Sequence, residues 1–397
     1  MAEDPWLTII GLGEDGPEGL SSASRAALET AEVVIGPPRH LALLPGTNAE
    51  RIDWPVPFAD GLDLLEKCRG RPTVALASGD PFWFGAGRVI AARLERSEWH
   101  ALPGVSTFAR AAARMGWGLE RTTCLGLHAA PLGRLRPHLA TGARLIVLLR
   151  DGAAVGELAR YLREQGFGGT RMAVLEALGG PRERRTNARA DALEGTFHHP
   201  LCVALEVSSG PGLACVPGRE DDVFDNDGQI TKRPIRALTL SALAPRPGER
   251  LWDIGGGSGS VAIEWLLAHA ANDAVSLEAR PDRAERIGRN AAALGADRLQ
   301  VVQGRAPEAL AGLPRPDAVF VGGGLSRTLL DDLAERLAPG TRLVANAVTL
   351  ESEALLTAWH GARGGELMRV ELSRAAPLGP RRGWQAAYPV VQYRGTL

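Results

Sequence analysis

The chain has 397 residues, of which 45% are apolar and 23% charged, and its formal net charge is −1. That length exceeds what one hydrophobic core usually serves, so two domains are expected. The two halves carry balanced charge, which excludes a basic footprint for nucleic acid or a membrane surface.

The acidic opening, Met1 to Trp6, lacks the apolar core of a signal peptide, and no run approaches the ~18 apolar residues that span a bilayer. A cytoplasmic protein is expected. Thr8-Ile9-Ile10 then reads as a strand running into Gly11-Leu12-Gly13. Val74 to Ala77 is a second apolar strand, ended by Ser78-Gly79-Asp80-Pro81. Leu102-Pro103-Gly104-Val105 leads to a helix over about 108–115, with Ser106 or Thr107 as its cap. Strands are also expected at Leu145–Leu149 and Val174–Glu176. The four cysteines, Cys68, Cys124, Cys202 and Cys215, share no C-x-x-C spacing, and His198-His199 on an extended segment would point to opposite faces. No metal site is expected.

Between Val207 and Arg236 the apolar periodicity stops in favour of glycine, proline and acid clusters such as Gly218-Arg219-Glu220-Asp221-Asp222 and Asp225-Asn226-Asp227-Gly228. This stretch reads as a linker, with domains over 1–212 and 213–397. Beyond it, strands near 251–254, 274–277, 299–302, 318–321 and 343–346 alternate with helices near 260–268, 282–293, 326–336 and 352–359. That alternation implies a doubly wound α/β sheet. Glu371 to Val391 reads as two closing strands around a Leu378-Gly379-Pro380 turn.

Strand 251–254 runs into Gly255-Gly256-Gly257-Ser258-Gly259, where the side chains nearly vanish and a helix N-terminus follows. Glu278, at the end of the next strand, stands at the roughly 20-residue offset at which an acid meets ribose hydroxyls. Loop and acid together describe a nucleoside site. The G-x-G-x-x-G spacing of dinucleotide folds is not met, which disfavours an NAD-linked oxidoreductase. Asp253, two residues before the loop, either braces the loop or contacts a ligand's amino group. Glu264 suits the positive end of its own helix.

The loop with Asp253 before it and Glu278 after it resembles the first motif of Rossmann-like S-adenosylmethionine (SAM) methyltransferases. In the N-terminal part, Gly11-Leu12-Gly13, Gly79-Asp80-Pro81 and Pro103-Gly104-Val105-Ser106, in that order, resemble the tetrapyrrole methylase family. Glu14-Asp15-Gly16 departs from the proline that usually follows that family's first loop. Thr231-Lys232-Arg233-Pro234-Ile235-Arg236, Gly304-Arg305-Ala306-Pro307 and Phe320-Val321-Gly322-Gly323-Gly324 resemble the decarboxylating precorrin methyltransferases.

These resemblances imply an α/β chain with an N-terminal tetrapyrrole methylase fold of two α/β subdomains, followed by a Rossmann-like methyltransferase domain. They imply two SAM sites per chain and a tetrapyrrole substrate of the cobalamin pathway. One domain would methylate C5; the other would methylate C15 and decarboxylate the ring-C acetate. The alternative is one active domain with the other as a substrate-binding scaffold. Gly11, Gly13, Gly79, Asp80, Pro81, Pro103, Gly104, Ser106 and Thr107 would hold SAM in the first domain. In the second, Gly255, Gly256, Gly257, Ser258, Gly259, Glu278 and Asp253 would do so, with Thr231 and Ala306 carried over from the family. Methyl transfer from a sulfonium needs alignment and desolvation rather than a nucleophile, so no catalytic side chain is singled out. Substrate carboxylates suit arginine, and Arg233 and Arg236 stand beside Thr231. The family also implies a homo-oligomer.

Overall fold

The computed structural model describes residues 5–46 and 48–397. The first four residues, in the acidic opening read above, lie outside them. Two compact units are present. One runs to Ala130 and resumes over His138–Pro211; the other comprises Pro131–Pro137 and Gly212–Leu397.

The first unit holds two sheets. One is formed by β1 (Leu7–Leu12), β2 (Val33–Gly36), β3 (Glu50–Asp53), β4 (Thr73–Ser78) and β5 (Trp99–Leu102). Its order is β3-β2-β4-β1-β5 and every pairing is parallel. β1 is buried along its whole length, as a strand covered on both faces must be, and this explains its continuous apolar sequence. Alternate residues serve opposite cores: Leu7 and Ile9 pack with Trp54 and Ile90, while Ile10 and Leu12 pack with Leu41 and Leu76. The other sheet contains β6 (Thr123–Gly126), β7 (Arg144–Leu148), β8 (Arg171–Glu176), β9 (Arg184–Arg189) and β10 (Leu201–Glu206), in the order β6-β7-β10-β8-β9. Only β6 and β7 are parallel.

A helix over Thr107–Met115 packs Phe108, Ala111 and Ala112 against Ile146, Leu175 and Cys202 of that second sheet. Ser106 caps it, its hydroxyl accepting from the Ala109 N–H at 3.1 Å. Gly116, at φ +66°, closes its other end.

The second unit is built on β11 (Arg250–Ile254), β12 (Asp273–Glu278), β13 (Gln300–Gln303), β14 (Ala318–Val321), β15 (Arg342–Ala347), β16 (Glu366–Val370), β17 (Ser373–Leu378), β18 (Arg381–Ala386) and β19 (Val390–Thr396). Seven of these form one sheet, β13-β12-β11-β14-β15-β19-β16, with the first five parallel and the last two antiparallel. Trp252, Trp265 and Trp359 fill its two faces. The first two still satisfy their indole N–H groups, on the carbonyls of Pro314 and Asp273.

Two sequence expectations are corrected here. The strands flanking Gly379 do not close the main sheet. β17 and β18 pair only with each other, while closure falls to β16 and β19, whose register brings Val370 opposite Val390. Exposed residues run along both hairpin strands, so nothing draws them into the sheet.

The stretch read as linker is anchored from Gly218 onward. The Glu264 carboxylate accepts from the N–H groups of Gly218 and Arg219 at 2.7 and 3.0 Å, and Asn290 holds both polar backbone groups of Asp225. Phe224 is 2% exposed within the core. Side chains from distant helices satisfy this backbone, so its own sequence needs no periodicity.

Candidate functional site

In the second unit the carboxyl ends of β11, β12, β13, β14 and β15 open onto a cavity of about 520 Å³. Gly255, Gly256, Gly257, Glu278, Ala306 and Thr231 all line it. The sequence places these residues up to seventy-five positions apart; the parallel sheet brings them to one rim, where doubly wound folds bind ligands.

The glycine loop is shaped as much by the protein as by any ligand. A Cβ on Gly255, whose φ is +74°, would lie 2.6 Å from the backbone of Gly323; one on Gly256 would lie 2.1 Å from Ser276 Oγ. Glu278 is 6% exposed and grips the loop, its Oε2 accepting from Gly257 N at 2.9 Å and its Oε1 from Arg280 N at 3.0 Å. Each of those oxygens retains lone-pair capacity for a hydroxyl. The Ser260–Ala268 helix begins directly after the loop, and its positive end suits an anionic end of a ligand held at the loop. Loop and acid, which both line the cavity, thus fit the methionine portion and the ribose of SAM.

Ser258, Gly259 and Asp253 are not among the lining residues. Ser258 is buried and its carbonyl is held by Asn290 at 2.9 Å; a Cβ on Gly259 would meet Ile287 at 2.8 Å. Of the two readings left open for Asp253, the structure places it as a brace. It is 1% exposed and accepts from Ser276 Oγ at 3.1 Å.

Burial pushes the Asp253 carboxyl up from 3.8 to about 7, the Ser276 hydrogen bond and the Ala262 N–H opposing the shift and Glu278 adding to it. The folded state therefore holds a proton that the unfolded chain has released. This stabilisation is full below the unfolded value and is lost as pH rises through 7. Thermal melts between pH 5 and 8 should accordingly fall for the wild type relative to Asp253→Asn. Parallel pH profiles would refute the assignment.

Arg236 does not await a substrate. Its side chain is fully buried, with Nε on Glu264 at 2.8 Å, Nη1 on Asp221 at 3.0 Å and Nη2 on the Arg219 carbonyl. It ties the 219–231 segment to the Ser260–Ala268 helix, which corrects its reading as a carboxylate receptor. Arg233 is half exposed but pairs with Glu220 and donates to the Gly218 carbonyl. Lys232 and Arg305, which stand inside the quoted motifs without an assigned role, also line the cavity, as do Arg283 and Asn346, which no motif contains. No local motif flags Arg283 or Asn346, because the fold alone brings them to this rim.

In the first unit, the three glycine-bearing segments meet at the carboxyl ends of β4, β1 and β5, adjacent in the sheet. Gly79 N donates to the Leu12 carbonyl at 3.0 Å, and Gly104 N to the Gly79 carbonyl at 2.9 Å. A Cβ on Gly11 would lie 1.7 Å from Gly79 O and 2.4 Å from Gly104 N. Three backbones pass here with no room for side chains. Gly13 opens the turn whose carbonyl accepts from Gly16 N. Asp80 folds its own loop, its Oδ1 accepting from Phe82 N at 2.8 Å, and Pro81 O accepts from Gly87 N. Pro103 precedes Gly104, Ser106 caps the helix, and Thr107 is its first residue.

Beside these loops lies a polar cluster that no motif announced. Arg39 pairs with Glu14 and donates to Ser78 Oγ at 3.1 Å, and Arg110 pairs with Asp15 at 2.6 Å. His40 sits under Arg39; burial first, and that guanidinium second, push its imidazole down to about 3. Glu14 and Asp15, which depart from the usual first loop, are therefore committed to arginines.

Residues 6–194 match the family model for tetrapyrrole (corrin/porphyrin) methylases, and residues 222–397 match that for a precorrin methyltransferase domain. The chain is 48% identical over 398 residues to a protein of Sinorhizobium sp. named precorrin-6Y C(5,15)-methyltransferase [decarboxylating], spanning 99% of this chain and 96% of that one. It is 32% identical over 166 residues to the cobalt-precorrin-6B C(15)-methyltransferase (decarboxylating) of Salmonella typhimurium, covering 41% of this chain and 85% of the relative. Among solved structures, it is similar to the C-terminal domain of precorrin-6Y C5,15-methyltransferase from Rhodobacter capsulatus, with 57% identity, 47% of this chain and 100% of that one covered, and a TM-score of 0.45. Two SAM-methyltransferase domain types in one chain, with close to half the residues shared along nearly its full length, place this chain in the precorrin-6Y C(5,15)-methyltransferase (decarboxylating) family of methyltransferases.

Proposed function

We propose that both units bind SAM and that the chain adds two methyl groups to one reduced precorrin in cobalamin synthesis. The first unit methylates C5. The second methylates C15 and removes CO2 from the ring-C acetate, giving a precorrin-8 skeleton. The observation that supports this reading most directly is the convergence, in each unit separately, of its glycine segments at the carboxyl ends of a parallel sheet. The division of labour rests on the motifs of the second unit and on a C15-methylating, decarboxylating relative that matches only part of the chain. Self-association, which the family implies, belongs to the same proposal.

SAM when bound supplies the electrophilic methyl group. The chain's task is then to align and desolvate the two reacting carbons. In the second unit Glu278 receives the ribose, Ala306 lies against the adenine, and Thr231 closes the site from the 228–232 segment. The backbone around Gly255 and Gly257 takes the methionine portion. In the first unit Gly11, Gly79 and Gly104 make the equivalent floor. No side chain needs to form a covalent bond.

Calorimetry of the full chain with S-adenosylhomocysteine should register two binding equivalents. Glu278→Gln should weaken one of them about 10–100-fold, the range for a hydrogen bond to a charged group, and leave the other intact. A single equivalent in the wild type would favour one active domain beside a scaffold. Product masses from SAM and a reduced precorrin complete the test, with two methyl additions and one loss of CO2 expected.

A further inference from the structure

The cavity of the second unit is divided by the order of the strands beneath it. Glycine loop, Glu278 and Ala306 stand at the ends of β11, β12 and β13. Further lining comes from Gly322–Gly324 after β14, Asn346 on β15, Val348 after it, Val390 on β19, and the 228–232 segment with Ile235. With SAM over the first group of strands, the second group is left to face the macrocycle.

That half is largely apolar. Its polar side chain is Asn346, part of a network across three elements. Asn346 Nδ2 donates to Thr239 Oγ1 at 2.9 Å, and Gln392 Nε2 donates to Asn346 Oδ1 at 2.9 Å and to Thr239 Oγ1 at 3.2 Å. Thr239 in turn donates to the Ile235 carbonyl at 2.8 Å. Thr239 and Gln392 are 0% and 3% exposed, so two buried residues fix the amide of a third that reaches the cavity. One N–H of that amide is left for a ligand. Of the cationic lining groups, Arg283 and Arg305 stand after β12 and β13, with Arg283 already paired with Asp227, while Lys232 caps the Arg233–Leu243 helix that carries Thr239.

We propose that Asn346 binds the acetate carboxylate that the second unit removes, and that Thr239 and Gln392 are its positioning residues. The inference rests on the decarboxylating reading given above. In that step the bond between the acetate CH2 and its carboxylate breaks. The electron pair passes into the conjugated C=N system of the macrocycle, CO2 leaves, and a proton from water returns to the CH2 to make a methyl group. Negative charge departs from the carboxylate as the transition state forms. A cation on that carboxylate would stabilise the ground state more than the transition state and slow the reaction. A neutral amide among Val348, Val390 and Ile235 orients the group without that penalty, while retained carboxylates remain free to meet Lys232 and Arg305.

The test uses the full chain with SAM and a reduced precorrin, following methyl additions and CO2 loss by product mass. Asn346→Asp removes the donor and repels the carboxylate as it docks, so kcat/KM for CO2 loss should fall about 10–100-fold, the range for a hydrogen bond to a charged group, with the fall carried by KM rather than kcat. Asn346→Ser keeps a neutral donor and should stay within about 10-fold. Affinity for S-adenosylhomocysteine should stay within about twofold for both, and the methyl addition of the first unit serves as an internal reference. Should the Asp variant fail to fold, Asn346→Leu, neutral but without a donor, must slow CO2 loss where Ser does not. Equal CO2 loss in wild type and the Asp variant, equal impairment by Asp and Ser, or a tenfold fall in S-adenosylhomocysteine affinity would each overturn the role. A wild-type chain that methylates yet releases no CO2 would instead overturn the reading beneath it, and this role with it.

Discussion

Gly11→Ala is expected to remove one of the two S-adenosylhomocysteine equivalents while leaving the other unchanged. The added methyl would stand 1.7 Å from a carbonyl oxygen and 2.4 Å from an amide nitrogen, both backbone atoms that cannot rotate away. One of the three strand ends must therefore retreat, and the hydrogen bond between Gly104 and Gly79 lies directly in the path. The cost should reach the upper end of the about 1–3 kcal/mol usual for overpacking. Gly156, in the Ala153–Glu164 helix of the same unit, is the control, because a Cβ there meets nothing within 4 Å. Gly156→Ala should stabilise the unit by up to about 1 kcal/mol through helix propensity. Calorimetric stoichiometry beside thermal melts separates the two outcomes. Retention of both equivalents by Gly11→Ala would mean that the crossing of these loops plays no part in binding.

Arg236→Met should be the most destabilising single change in the second unit. It leaves the fully buried Glu264 carboxylate without its closest cation and frees the Arg219 and Thr231 carbonyls. Breaking a buried ion pair from one side costs about 3–5 kcal/mol. Arg219 stands 3.6 Å from the same carboxylate and can recover part of that loss. The damage should also reach the site, since the segment held by Arg236 carries Thr231 and Lys232 to the cavity. Adding Glu264→Gln should recover stability, because the uncompensated charge is then gone. Urea denaturation of the single and double variants checks both statements, and additive losses would show that the pair is not coupled.

What the sequence made legible was local. Each glycine segment announces itself by composition, and those after β1 and β4 close strands whose apolar runs are continuous because both faces are covered. The helix after Ser106 could be read from its cap, and the offset from the loop to Glu278 placed the acid. Glu264 was legible only as an acid near a helix start; its partners at 218, 219 and 236 lie far back in a stretch that reads as linker. Asp253 could not be settled, because a brace and a ligand contact demand the same residue at the same strand end. The hairpin and the closing strands are all short and arginine-bearing, and their pairing separates them: β16 and β19 carry the Leu, Met and Val that the sheet buries at least in part. Arg283 and Asn346 carry no motif; a shared rim, not a shared segment, makes them neighbours.

The main sheet of the second unit treats residues 371–389 as a parenthesis. The chain leaves at Val370 and returns at Val390, and those two residues face each other in the ladder. A short turn could therefore stand in for the whole excursion without shifting any register elsewhere. Leu378, Trp384 and Tyr388, at 69%, 79% and 88% exposure, would leave with it. Length and stickiness at this corner can thus drift between relatives at no cost to the chemistry beneath.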